Sequence, residues 1–161
     1  MDILTDSPTR ADVLTLLGEH LDEMRATSPP ESVHALDAAA LAAEHITFVT
    51  ARDDDGTLLG CGALSELEPG VGGHGELKSM RTAREARGRG VATGLLAHLT
   101  AVAAARGYAR LSLETGAEDF FAPARRLYAR AGFVECAPFA AYGPDPNSVF
   151  LTRRLAQPAR S

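Results

Sequence analysis

Cysteine is scarce: Cys61 and Cys136 are the only two in 161 residues. They form no Cys-x-x-Cys pair and have no nearby His at ligand spacing, which speaks against a zinc site, a redox dithiol or a disulfide framework. Both are expected to be small buried hydrophobes in a reducing cytosol. Long apolar runs are missing as well, and none nears the roughly 18 residues of a membrane span. The N-terminus has no basic-then-apolar signal pattern, so the expected location is cytoplasmic. Positive charge is not in excess: 16 Lys and Arg face 21 Asp and Glu, for a net charge of −5. A nucleic-acid binder usually shows a basic face, so this balance argues against one; it suits a cationic small substrate a little better. What remains is an ordinary globular profile, 45% hydrophobic and 23% charged. That length favours one domain, read as 1–155 with a frayed tail over 156–161.

The chain reads as alternating elements without internal repeats. Ile3-Leu4 is a short strand. A helix follows with Thr9 as N-cap and a stripe of Val13, Leu17, Leu21 and Met24, widened by Leu14 and Leu16. Thr27-Ser28-Pro29-Pro30 stops it. A short helix is expected over 36–43. Ile46–Thr50 and Leu58–Leu64 flank an Asp-Asp-Asp-Gly turn and should pair as a hairpin. After a Gly-rich loop, Glu76–Thr82 reads as a strand, and 90–106 as a helix with Val91, Leu95, Leu99 and Val102 on one stripe and Leu96 beside it. Gly107 ends that helix. Ala109–Glu114 alternates as a strand, 123–131 is a helix with Pro123 in its first turn and Gly132 at its end, and strands open at Phe133-Val134 and close at Val149–Leu151. The order β-α-α-β-β-β-α-β-α-β-β implies one mixed α/β sheet covered by helices on both faces, with a parallel pair at the β-α-β unit.

The stretch Arg87-Gly88-Arg89-Gly90-Val91-Ala92-Thr93-Gly94 lies between a strand and a helix. Glycines let a ligand approach the backbone, and the first turn of a helix has unpaired N–H groups. With two arginines and the helix dipole, these donors make an anion site suited to a phosphate or pyrophosphate. A tight structural turn is the plain alternative. A P-loop would need a Gly-Lys-Ser/Thr ending, which is absent. A dinucleotide fingerprint would need Gly-x-Gly-x-x-Gly, and here the last spacing is one residue too long, although Glu114 stands about where a ribose-binding acid would be.

These residues resemble the GNAT family of N-acetyltransferases. The family's acyl-CoA loop, Arg/Gln-x-x-Gly-x-Gly/Ala, stands here as Arg87–Ala92, Glu76–Thr82 resembles its fourth strand, and Leu127-Tyr128-Ala129-Arg130-Ala131-Gly132-Phe133 matches its Leu-Tyr-x-x-x-Gly-Phe signature. The segments 28–37 and 145–150 are similar to a bacterial subgroup of poorly defined acceptor. Where many members carry an Asn near the start of the last helix, this chain has Phe121.

The resemblance implies a mostly antiparallel sheet with a parallel fourth and fifth strand that splay apart. It implies acetyl-CoA as cosubstrate and direct transfer to an amine in a ternary complex. No metal is implied. The backbone of Met80, Arg81 and Thr82 would hold the pantetheine arm, and Arg87, Gly88, Arg89, Gly90, Val91, Ala92 and Thr93 the diphosphate. Tyr128 would protonate the departing thiolate. Glu76 stands where the family's histone acetyltransferases place a glutamate base, and Glu114 is a second candidate. Ser28, Glu31, Ser32 and His34 fall where the family shapes its acceptor pocket. The acceptor would be an amine on a small molecule or a peptide, and members often form homodimers. A non-catalytic acyl-CoA-binding module would keep the glycine loop but lack the acid and base, and a nucleotide-dependent oxidoreductase is the other alternative.

Overall fold

The computed structural model describes residues 1–32 and 37–156. Among them, seven strands form one sheet: β1 (Asp2–Thr5), β2 (Ile46–Arg52), β3 (Leu58–Glu68), β4 (His74–Thr82), β5 (Arg110–Gly116), β6 (Val134–Glu135) and β7 (Ser148–Arg154). Their order is β1-β2-β3-β4-β5-β7-β6. All neighbours are antiparallel except β4 and β5, which are joined through a helix and run parallel. The helices are α1 (Ala11–Thr27), α2 (Ala38–Leu41), α3 (Val91–Ala105) and α4 (Ala122–Arg130). The element order and the β2–β3 hairpin agree with the sequence pattern.

Strand alternation divides the core in two. On β2, Ile46 and Phe48 pack with Val13, Leu16 and Leu17 of α1 and Leu41 of α2. Val49 and Ala51 of β2 pack instead with Leu95 and Leu99 of α3, and Tyr128 of α4 joins the same cluster. Helices therefore cover both faces. Leu99 is fully buried. Leu99→Ala should cost about 2–5 kcal/mol, because the lost contacts leave a cavity the sheet cannot collapse into; urea melts of the two proteins check this.

Several local expectations shift. Thr9 does not cap α1: its hydroxyl bonds Ser7, and Arg10 occupies the cap position without a side-chain bond. Leu14 is 45% exposed, so it lies outside the buried stripe. The second helix is shorter than expected, because the Asp37 carboxylate accepts from the Ala40 N–H and starts the helix after residue 37. β2, β3, β4 and β7 run longer than the segments that signalled them, because backbone pairing continues through residues outside those segments, such as Ala51, Ser65 and His74. Gly107 and Gly132 do take left-handed backbone after their helices, with φ of +80° and +94°. Cys61 is buried, and burial pushes its thiol up to about 12. Cys136 is only half-buried, so its side chain is not a core hydrophobe.

Candidate active site

β4 and β5 pair only from His74↔Arg110 to Leu77↔Leu113. Past that point they part. The cause sits on β4: register with β3 slips between Cys61↔Arg81 and Ala63↔Lys78, so Ser79 and Met80 together face Gly62. Ser79 is the bulged residue, with φ +54°. A bulge bends its strand and re-aims the side chains beyond it. The Ser79 hydroxyl is buried there without a hydrogen-bond partner among the described residues.

Two clefts open where the strands diverge. The larger, about 550 Å³, runs along β4 to the glycine loop, a size suited to a small-molecule site. Its walls include Met80, Arg81 and Thr82, then Arg87, Gly88, Gly90, Val91, Ala92 and Thr93. Arg89 is exposed and lies outside this wall. The smaller cleft lies on the β5 side and holds Glu76, Lys78, Ser79, Glu114 and Tyr142. Tyr128 lines both, as do His20, Met24, Met80 and Phe121.

The loop end is built for an anion. Gly88 and Gly90 both have φ +77°, and a Cβ on either would meet nothing within 4 Å, so the space above them is open. α3 begins at Val91 with no side-chain cap, which leaves its first N–H groups unclaimed. Arg87 is exposed beside them. These features, the unpaired Ser79 hydroxyl and the parted strands fit a polar, phosphorylated, extended ligand such as an acyl-CoA. Arg81 differs from the expectation in one respect. Its side chain makes a bidentate bond with Glu23 of α1, which lines the same cleft, so the guanidinium is already engaged by a carboxylate. That bond, followed by the charges of Arg87 and Arg84, holds the Glu23 carboxyl down at about 2.

The smaller cleft concentrates the titratable groups. Glu76 is 4% exposed. Its Oε2 accepts from Tyr142 Oη at 2.6 Å and Lys78 Nζ at 3.1 Å, and Lys78 also donates to Tyr142 at 3.0 Å. Glu114 makes no hydrogen bond or ion pair with the described residues. Burial pushes its carboxyl up to about 7, with Lys78 pulling down and Glu76, Asp145 and Glu118 pushing further up. Burial also raises the Tyr128 phenol well above its ordinary range, so it stays protonated at neutral pH. The Tyr128 ring packs edge-on against Phe133, 5.7 Å between centroids. Burial, then the charge of Arg81, lowers His20 to about 4, leaving a neutral imidazole.

Of the expected acceptor residues, Ser28 and Ser32 are buried outside both clefts. Ser28 Oγ donates to Glu118 at 3.0 Å, and Ser32 Oγ accepts from Asn147 Nδ2 at 3.3 Å. They tie the Pro-Pro segment to the loops after β5 and before β7. Glu31 is exposed, and His34 lies outside the described residues. His20, Met24, Lys78 and Tyr142 were not anticipated. Period-2 alternation could have placed Lys78 on the face of Glu76; nothing local marked the others.

A model of the Acetyltransferase (GNAT) family matches residues 13–133. The chain belongs to the GNAT family. An uncharacterized N-acetyltransferase of Bacillus subtilis, YsnE, is 50% identical over 96% of this chain and all of its own length. A protein of Azospirillum brasilense named IAA acetyltransferase is 38% identical over 95% of this chain and 97% of its own. The solved structure of a Klebsiella pneumoniae protein described as an acyl-CoA N-acyltransferase is 31% identical, with a TM-score of 0.77 over 96% of this chain and 97% of that one. The chain is thus an acyltransferase enzyme that draws on an acyl-CoA. The parallel, splayed β4/β5 pair expected from the resemblance is present. Among the described residues, no helix is long and apolar enough to cross a membrane.

Proposed function

We propose that this protein is a cytoplasmic N-acetyltransferase that moves an acetyl group from acetyl-CoA to the primary amine of a small molecule or peptide, by direct attack within a ternary complex. The observation that carries this is the parted β4/β5 pair, with a bare helix start at one end and two carboxylates and a tyrosine at the other. When bound, the cosubstrate supplies an activated thioester. The chain's own groups do the rest. Backbone of Met80 and Thr82 orients the arm, and the N–H groups of Gly88–Ala92 with the Arg87 guanidinium bind the diphosphate. Glu114 accepts the proton of the incoming amine, directly or through water. An alkylammonium ordinarily has a pKa near about 10.4, so attack needs such an acceptor. Tyr128 Oη gives a proton to the departing sulfur. Cys61, buried and with its thiol raised, is a poor nucleophile, which favours direct transfer over an acyl-cysteine route.

Calorimetry should show acetyl-CoA and CoA binding, with Arg87→Ala weakening both about tenfold and NAD giving no heat. Thiol release across a panel of amines then identifies the acceptor. The Azospirillum relative's name supports a second reading, in which IAA is acted on, so the panel includes IAA. Turnover with IAA and with no amine would replace the amine assignment. Heat from CoA with no thiol release on any acceptor would favour a non-catalytic acyl-CoA-binding module.

A further inference from the structure

We infer that Lys78, braced by Tyr142 and Glu76, is a positioning residue for the transfer that acts on Glu114, and that Glu76 is its counter-ion rather than the proton acceptor. The inference rests on Glu114 as the group that takes the amine proton.

Strand register supplies the geometry. The last paired residues are Leu77 and Leu113, so Lys78 and Glu114 are the first residues past the point where the strands part. They lie on the same face: His74, four residues before Lys78, and Ser112, two before Glu114, meet at 2.6 Å between Nε2 and Oγ, and side chains repeat every second position. Lys78 Nζ is fixed by two bonds, to Glu76 Oε2 and Tyr142 Oη, and stands 5.5 Å from the Tyr142 ring centroid. Tyr142 donates to the same Glu76 oxygen, closing a triangle. Both partners are already bonded to Glu76 Oε2, and removing that carboxylate would leave a buried ammonium uncompensated, which is costly. The geometry therefore makes Glu76 the counter-ion of Lys78.

Glu114 has the opposite surroundings. The groups acting on it are Lys78 and Glu76 from β4, Glu118 from the β5–α4 connection, and Asp145 and Tyr142 from the β6–β7 connection. Lys78 is the cation among them. It offsets the neighbouring carboxylates and keeps Glu114 able to release its proton near neutral pH. Without it, burial and like charge would push the Glu114 titration up, so less of the carboxylate would be ionised at neutral pH.

The test follows the Glu114 side-chain carboxyl by 13C NMR in the unliganded protein, beside pH profiles of kcat/KM. In Lys78→Met, or Lys78→Gln should the first fold poorly, the Glu114 titration should move up by about one pH unit. Activity at pH 7 should fall about fivefold, as the ionised fraction drops, and the deficit should close by pH 9. Lys78→Arg should restore most of both. Glu76→Gln should move the titration down and keep activity within about tenfold above pH 8. A Glu114 titration that stays in place in the neutral Lys78 variants overturns the inference and leaves the Glu114 assignment standing. Loss of Glu76→Gln activity at every pH makes Glu76 the acceptor and also overturns it. If the carboxyl titration moves while the kinetic profile does not, the Glu114 assignment itself has failed, and the positioning role with it.

Discussion

Tyr128→Phe lowers kcat by about 10²–10³-fold while KM for acetyl-CoA stays within about twofold. The magnitude is that of losing a positioned general acid. A thiol has a pKa near about 8.5, so the departing sulfur is a fair leaving group that still gains from a proton in the transition state. At neutral pH the Tyr128 phenol carries a proton to give, as tyrosine ordinarily does, and burial raises it further. Its position is set by α4 and by edge-on packing on Phe133, which Gly132 allows by turning the chain directly after the helix. Phenylalanine keeps the ring and its packing, so the melting temperature should barely move. The variant therefore separates a proton donor from a packing residue. Steady-state kinetics with both substrates varied gives the answer, and an unchanged kcat removes Tyr128 from the chemistry.

Glu114→Gln should be nearly as damaging, with a distinctive pH signature. In the wild type the carboxylate must be ionised to accept a proton, so kcat/KM should climb as pH rises through about 7. The variant should lose about 10²–10³-fold at pH 8 and show no such limb. Stability should respond in the opposite sense. A folded-state carboxyl raised from 4.5 to about 7 binds more protons than the unfolded chain between those values. Wild-type stability therefore falls as pH rises across that window. Glutamine carries no charge to desolvate, so the variant should melt higher than the wild type at pH 8 and close to it at pH 4. A group that costs stability where the enzyme works is expected of a catalytic acid or base. Thermal melts at the two pH values, read beside the kinetic profile, check both halves.

Much of the fold was legible because its signals are local. The α3 stripe of Val91, Leu95, Leu99 and Val102 is a matter of helical spacing; the first three are buried and Val102 is half-buried against them. Gly107 and Gly132 mark helix ends through backbone conformations that other residues adopt at a cost. The glycine loop was legible for the same reason: Gly88 and Gly90 take left-handed backbone in front of an uncapped helix. Misplaced details were those decided by competition between near neighbours. Thr9 had the right chemistry for a cap, but its hydroxyl found Ser7 first. Leu14 sits among apolar neighbours in sequence, yet α1 turns it outward.

The site divides along the same line. From residues alone came a candidate anion loop, the tyrosine of α4 and two candidate carboxylates, because each sits in a short segment whose chemistry is complete within a few residues. Which carboxylate works as a base was beyond reach of any local pattern. Glu76 meets Tyr142 across 66 positions, Arg81 meets Glu23 across 58, and Ser28 meets Glu118 across 90. Charge and burial at one carboxyl depend on everything packed around it. Only the folded sheet, with β4 bent at Ser79 and a distant loop laid over its face, places a lysine and a tyrosine on one glutamate and leaves the other without a bond among the described residues.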